Sequence, residues 1–424
     1  MPKGPGRTPV SLSNLERVKR AIEEFSLLER GERVLVGLSG GADSVYCTLA
    51  LLSLGYDVVA AHINHGLRET SERDEMFVRE MCEHLKIPLE VERLGMEWGS
   101  AVEERARALR YEALRRIVRR VGARRICLAH TLSDAYETAL FNLSRGTGTF
   151  GLVLPPESGP FVRPLILLWR DEVREALKEA EVPWIEDESN YDPRFARNFI
   201  RLKVLPRMLR IFPDLPKRFL RTYRLLHAER RFIKDSVDAY ESRRVMRYAG
   251  ITFILKDEEY LTARVLSRRL NVEVEKAIRA IGMEGGRRFV LRGRTVSSYA
   301  KFVAIYGSPP KIETQQRRFV WEHLNLRLVG EDLRGVAVRA RRRGERVGGR
   351  KLKELYDRYG IPAILRDVHP VVEREGRVVW VPGIYGNTGG LRFSKVCDAL
   401  PSLFDVYEFL GIRLRQAKDS STNF

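Results

Sequence analysis

Val34-Leu35-Val36-Gly37-Leu38-Ser39-Gly40-Gly41-Ala42-Asp43-Ser44 is the stretch from which the fold can be read. It begins as an apolar run of strand length, passes through a turn of small residues and enters an amphipathic run, Val45 to Leu54. Strand, glycine turn and helix in that order build an anion site. The glycines let backbone N–H groups approach a phosphate with no side chain in the way. The helix that follows points the positive end of its dipole at the same place. Ser39 and Ser44 add hydroxyl donors. Asp43 is the odd member, because a carboxylate beside a phosphate is repulsive. It makes sense with a divalent cation between the two, and Mg²⁺ takes that mix of carboxylate and phosphate oxygens. An ordinary βα turn with a helix cap is the plainer reading, but Ser-Gly-Gly-x-Asp-Ser after a buried-type strand is far more specific. No lysine follows the second glycine, so this is not the Walker A pattern.

The flanking sequence repeats the strand–helix theme. Leu15, Val18, Ile22 and Phe25 give helical spacing over residues 11–30. Strands are expected at Arg33–Leu38, Val58–Ile63, Leu89–Leu94 and Ile126–Ala129. Helices are expected at Asp43–Leu54, Ser71–Leu85, from Ser100 through Val121, and at Asp134–Leu143. Alternation at this spacing predicts an α/β fold with a parallel, doubly wound sheet. In such sheets ligands bind beyond the carboxyl ends of the strands, so motifs that follow strands belong to one site. Three follow: His62-Ile-Asn64-His65-Gly66-Leu67-Arg68, then His130-Thr-Leu-Ser-Asp134-Ala-Tyr-Glu137-Thr138, then Asp187-Glu-Ser189-Asn190 with Arg197-Asn198-x-x-Arg201. A lone histidine at a strand end is more often structural, so the case rests on convergence. Gly146-x-Gly148-x-x-Gly151 has dinucleotide spacing but follows a helix and runs into Pro155-Pro156. It reads better as a phosphate-approaching or substrate-facing loop.

A chain of 424 residues suggests roughly two to four domains. Pro213 and Pro216 mark one boundary and Pro309-Pro310 a second, giving 1–214, 215–312 and 313–424. The middle region reads as helical and mixed, the last as a small α+β domain. Hydrophobic residues make up 44%, enough for real cores, and no apolar run reaches the ~18 residues of a membrane span. With no apolar signal core near Met1, a soluble, cytoplasmic protein is expected. The four cysteines, Cys47, Cys82, Cys127 and Cys397, form no C-x-x-C pair and signal no metal centre. A formal net charge of +19 favours a polyanionic partner, nucleic acid before membrane. Arg341-Arg342-Arg343, then Arg350-Lys351-Leu-Lys353, sit in a turn between a strand and a helix, a shape suited to backbone phosphates.

The turn at Ser39–Ser44 resembles the PP-loop of ATP pyrophosphatases, which cut ATP between the α- and β-phosphates. With it come His62-x-Asn64-His65-x-Leu67-Arg68, Ala106-Arg107-x-x-Arg110-Tyr111, Asp134-x-x-Glu137-Thr138, Arg145-Gly146-x-Gly148-x-x-Gly151-Leu152, Arg163-Pro164-Leu165, and Asp187-x-Ser189-Asn190 with Arg197-Asn198-x-x-Arg201. The tail adds Gly360-Ile361-Pro362, Arg366-Asp367 and Val379-Trp380-x-Pro382-Gly383. Together they resemble the tRNA(Ile)-lysidine synthetases over most of the chain.

That resemblance implies an adenine nucleotide alpha hydrolase-like catalytic domain and a two-step reaction. O2 of the wobble cytidine, position 34 of an isoleucine tRNA with a CAU anticodon, attacks the α-phosphate of ATP, and pyrophosphate leaves. The ε-amine of free L-lysine then attacks C2, and AMP leaves. The product, lysidine, pairs with A, so codon reading changes from AUG to AUA. The resemblance implies catalytic roles for Asp43, Arg110, Asp134 and Arg201. It places ATP at Ser39, Gly40, Gly41, Ala42, Asp43, Ser44 and His65, with Mg²⁺ on Asp43. Lysine falls to Asp134 and Glu137, which share a helix face at i and i+3. A metal role for that pair is the competing reading. tRNA falls to Arg145, Arg197, Arg341, Arg342, Arg343, Arg350, Lys351 and Lys353, and a homodimer is one assembly the resemblance allows. One departure stands out: the family often has two histidines after the fourth strand, and here His130 is followed by Thr131. Three other functions compete: a cytidine or uridine thiolase, an ATP-using synthetase with a small-molecule substrate, and a catalytically silent RNA-binding protein. The missing cysteine pairs, the charge and the intact loop argue against them in turn.

Overall fold

The computed structural model describes residues 12–64, 71–94, 102–186, 196–283, 288–307, 322–323, 325–329, 333–386, 390–397 and 399–414. It divides into two compact units, Met1–Arg231 and Phe232–Phe424.

In the first unit, α1 (Leu12–Glu24) precedes β1 (Arg33–Gly37), α2 (Ala42–Ser53), β2 (Asp57–Asn64), α3 (Ser71–Leu85), β3 (Leu89–Arg93), α4 (Val102–Arg120), β4 (Arg125–Cys127) and α5 (Leu132–Leu143). Then come α6 (Thr149–Leu152), β5 (Glu157–Ser158), β6 (Phe161–Val162), α7 (Arg170–Glu179), α8 (Ala196–Phe199), a π-helical turn (Ile200–Val204), α9 (Leu205–Ile211) and the first part of the long α10 (Leu215–Arg244), whose residues from Phe232 on are counted with the second unit. Helix α1 stops short of the expected residue 30. Ser26 takes a left-handed φ of 51°, and the Leu27 N–H turns back to Ile22 O at 2.9 Å, a glycine-free version of the usual helix stop.

The sheet order is β3-β2-β1-β4-β6-β5. All pairs are parallel except the β5–β6 hairpin, so the expected doubly wound parallel sheet is what forms. The alternation along β1 explains why. Val34 and Val36 pack with α2 and α7 in one apolar cluster. Leu35 packs with Leu114 and Ile117 of α4 in another. A strand buried on both faces must be covered by helices on both faces. The chain runs from β1 outward to β3 and then returns to the other side of β1 as β4. That reversal opens a crevice beyond the carboxyl ends of β1 and β4, the place where such sheets bind ligands.

In the second unit a five-stranded antiparallel sheet spans 245–306, with helices Glu259–Leu270 and Val274–Gly282. One face of this sheet packs on those helices. Its other face shares a core with the C-terminal residues, including Tyr356, Trp380 and Tyr407. There Val336–Arg339, Val371–Arg374, Arg377–Val381 and Tyr385–Gly386 make a four-stranded antiparallel sheet. The Pro309-Pro310 segment lies outside the described residues. No described helix is long and apolar enough to cross a membrane.

Candidate active site

The loop after β1 is held open by its own hydroxyls. Ser44 Oγ donates to Gly41 O at 2.9 Å, and the Ser39 N–H donates to Ser44 Oγ at 3.2 Å. Ser39 Oγ lies 3.2 Å from Ser44 Oγ. Helix α2 starts at Gly41 with no side-chain cap, which leaves its first N–H groups for an anion. Gly40 has φ +88°, and a Cβ there would come within 2.7 Å of Ile185 Cδ1. Only glycine fits both demands. The Ile185 N–H donates to Gly40 O at 2.9 Å, so the segment leading to Asp187 is pinned against the loop. Asp187, Ser189, Asn190 and His65 themselves lie outside the described residues.

Asp43, at the start of α2, meets the two acids of α5. The group that joins them is Arg170, the first residue of α7. Its guanidinium donates to Asp134 Oδ1 at 2.7 Å and to Glu137 Oε1 at 2.8 Å. Its Nε lies 3.6 Å from Asp43 Oδ2. Arg201, on the π-helical turn, donates from Nε and Nη2 to the two oxygens of Glu137, each at 2.9 Å, and lies 3.6 Å from Asp134. Single π-turns occur often at functional sites. Three carboxylates face two guanidinium groups, so the cluster carries one surplus negative charge.

The surplus falls on Asp43. Its Oδ1 is buried without a hydrogen-bond partner. Burial raises its pKa from 3.8 to about 6, Asp134 adds to the rise, and Arg170 opposes it. A buried, orphaned carboxylate oxygen beside a phosphate-shaped loop fits a divalent cation. Among the described residues no group of three or more His, Cys, Asp or Glu could hold a metal, and Mg²⁺ readily takes phosphate oxygens beside a single carboxylate. Asp134 differs. Burial pushes it up, but Arg170, His130, the Thr131 N–H and Arg201 outweigh that and hold it down to about 2. Thr131 supplies the bracing: its N–H and Oγ1 both donate to Asp134 Oδ2, at 2.7 and 2.9 Å. The residue that departs from the family pattern thus fixes the acid next to it.

The structure brings Asp43, Asp134, Glu137 and Arg201 into one cluster and puts Arg110 in a neighbouring one. Burial lowers the pKa of Arg110, and Arg107 lowers it further while Tyr111 opposes. Arg163 is buried as well and donates to Pro155 O at 2.7 Å. His130 links the clusters. Burial lowers its pKa to about 3, with Asp134 opposing and Arg163, Arg107 and Arg110 assisting, so its ring is neutral. His62 is a brace between strands, its Nδ1–H donating to Leu38 O at 2.9 Å.

Arg170 was missed by the sequence reading. It belongs to no motif, and its signal is faint: an arginine at the first position of a helix opposes the helix dipole. It also follows the wholly buried run Leu165–Trp169. A cation placed so badly for its own helix needs partners elsewhere.

The basic residues of the second unit are less uniform than their sequence. Arg341 pairs with Asp367 at 2.9 Å. Arg342, Arg343, Arg350, Lys351 and Lys353 are exposed. Arg346–Val347 and Arg350–Lys351 form a hairpin whose turn residues, Gly348 and Gly349, take φ of +53° and +78°. A two-residue hairpin turn needs such angles.

A family described as "PP-loop domain" matches residues 14–208, and one described as "TilS substrate C-terminal domain" matches residues 336–395. A tRNA(Ile)-lysidine synthase of Thermotoga sp. strain RQ2 is 33% identical over 384 residues, covering 84% of this chain and 92% of the relative. The protein of the same name from Pseudothermotoga lettingae is 31% identical over 417 residues, covering 87% and 90%. Among solved structures, a U34-tRNA thiolase from Methanococcus maripaludis aligns at 19% identity with a TM-score of 0.43, over 50% of this chain and 78% of that one.

Proposed function

This chain belongs to the tRNA(Ile)-lysidine synthase family, and from that footing we propose how its own residues carry out the reaction. It uses ATP to act on an isoleucine tRNA and free L-lysine, forming lysidine. In the first step cytidine O2 attacks the α-phosphate, the bond to the bridging oxygen breaks, and pyrophosphate leaves. In the second the lysine ε-amine attacks C2, loses a proton, and AMP leaves. The enzyme is a ligase forming a C–N bond, and its substrate is a tRNA with a CAU anticodon.

Ser39, Gly40, Gly41, Ala42 and Ser44 cradle the pyrophosphate with backbone N–H groups and hydroxyls. Asp43 would hold Mg²⁺, which when bound offsets the charge of the leaving pyrophosphate. Arg201 and Arg110 neutralise charge at the α-phosphate, and Arg170 holds the three acids together by offsetting their mutual repulsion. Asp134 and Glu137 receive the lysine ammonium, drawn by the one surplus negative charge of the three-acid cluster. Neutral His130 cannot repel that cation. Arg145 and Arg197 in the catalytic domain (1–214), together with Arg341, Arg342, Arg343, Arg350, Lys351 and Lys353 in the C-terminal one, bind tRNA, the middle domain (215–312) assisting. Arg341 contributes least, being paired already.

The observation that carries this reading is the surplus charge beside the phosphate loop, in a chain matching its relatives over nearly their whole length. Against a thiolase, Cys47, Cys82 and Cys127 are buried, and only Cys397 is exposed. The test is incorporation of labelled lysine into total tRNA with and without ATP. ATP-dependent label in one isoleucine tRNA supports the reading. ATP turnover without tRNA or lysine transfer would overturn it.

A further inference from the structure

The glycine loop after α5 has no part in the chemistry above, yet it is bordered by an unusual arrangement. Phe141 lies one helical turn beyond Glu137 on the same face of α5. Two guanidinium groups sit over its ring. Arg145, one turn further on, is 5.4 Å from the ring centroid, and Arg197 of α8 is 5.6 Å away. Among the described residues neither arginine makes an ion pair, in contrast to Arg170 and Arg201. Both are exposed, as are residues 143–148. A Cβ on Gly146 or Gly148 would meet nothing within 4 Å. On the other side of the loop, Arg230 covers the ring of Phe150 at 4.7 Å.

Arg201 pairs with Glu137, and Arg197, four residues earlier, reaches Phe141, four residues later. The two contacts are successive rungs between α5 and the continuous helical segment formed by α8 and the π-helical turn. They fix the ring about 6 Å along the helix axis from the acid cluster. A partly exposed phenylalanine flanked by unpaired arginines is a poor way to finish a surface, since like charges are drawn together over apolar area. It is a good way to hold an unstacked nucleotide, whose base stacks on the ring while its phosphates take the guanidinium groups.

We infer that Phe141 is a base-stacking residue for a nucleotide flanking the reacting cytidine, with Arg145 and Arg197 on its phosphates. This rests on the proposed tRNA substrate. One rung of separation places the neighbouring base, rather than the reacting cytidine, on the ring. The glycine loop then has a reason for its bareness: a side chain there would occupy the path of the strand.

The test uses the full chain and isoleucine tRNA transcripts with the CAU anticodon, either intact or lacking the base on one or the other side of the cytidine. Phe141→Leu keeps the apolar volume and removes the ring. It should weaken transcript binding and raise the tRNA KM by roughly 5- to 160-fold, the usual range for one stacked base, with the ATP KM unchanged as a check on folding. Phe141→Trp should restore binding to within a few-fold. One abasic transcript should bind the wild type weakly and lose nothing more with Phe141→Leu, which is the coupling expected of a direct contact. Unchanged transcript affinity for Phe141→Leu, or additive losses with both abasic transcripts, would overturn the inference. Because binding is measured directly, a wild-type protein that binds transcript through Phe141 but transfers no lysine would sink the lysidine reading and leave this one standing.

Discussion

Arg170 and Arg339 are both buried arginines gripped by carboxylates, one in each unit, and they end in opposite states. Arg339 donates to Glu373 at 2.7 Å, to Glu345 at 2.6 Å and to Ala340 O at 2.9 Å. Arg342 lies 3.7 Å from Glu373, so two acids meet two cations. In the catalytic unit three acids meet two cations, and one carboxylate oxygen of Asp43 has no partner. The first network is neutral and satisfied. Its use is to hold the end of the strand Val336–Arg339, after which the exposed Arg342 and Arg343 follow. The second is left short of one positive charge beside a phosphate loop. A buried ion pair by itself says little about function. What separates the two is the count of charges and of unsatisfied atoms.

The largest effect is expected at Asp43. Asp43→Asn should cut AMP and pyrophosphate formation by about 10³-fold, the scale of losing a preorganised charge at a transition state. The same change should stabilise the ligand-free fold. The folded pKa is raised from 3.8 to about 6. The protonated acid therefore favours folding below pH 3.8, and that contribution is lost as pH rises through 6. Asparagine would restore up to about 3 kcal/mol at pH 7.5, read from urea unfolding. In the wild type, adenylation should fall away as pH drops below 6. An Asp43→Asn protein that adenylates normally, or unfolds more easily, breaks the contrast.

Arg339→Ala is expected to be nearly as severe but in stability alone. It leaves two mostly buried acids facing each other and should cost about 3–5 kcal/mol. A urea midpoint within error of wild type would mean the network is not what holds that strand.

Glu137→Gln sharpens the charge count, because it takes the cluster from one surplus negative charge to none. Pyrophosphate release with tRNA present should persist. The lysine concentration for half-maximal product should rise about tenfold, and excess lysine should partly restore lysidine. Failure to adenylate at any lysine concentration would put Glu137 with the nucleotide instead.

The smallest effect separates the arginines of the tail. The double change Arg343→Ala with Arg350→Ala should reduce the slope of log affinity against log salt by about 1.5, because two phosphate contacts no longer release counterions. Arg341→Ala, already paired with Asp367, should leave that slope nearly unchanged. Equal slopes for the two proteins would erase the distinction.

The phosphate loop, the parallel sheet and its helices were legible in the sequence because each is set by neighbours along the chain. Strand, glycine pair and helix are contiguous, and burial on both faces of β1 is written in Val34-Leu35-Val36. Even Asp134 and Glu137 announce themselves, since helical spacing alone puts them on one face. Arg170 could not be read in this way. It lies 36 residues from Asp134 and 33 from Glu137, and only the return of β4 beside β1 and the packing of α7 on α2 bring the three together. The same holds for the fate of each basic residue in the tail. Arg341, Arg342 and Arg343 are adjacent and chemically identical, yet Arg341 is spent on Asp367, Arg342 lies within reach of Glu373, and Arg343 is exposed. Sequence fixes which charges a chain carries. Which of them are cancelled depends on distances of a few ångströms between residues far apart along the chain, and only the packed structure sets those.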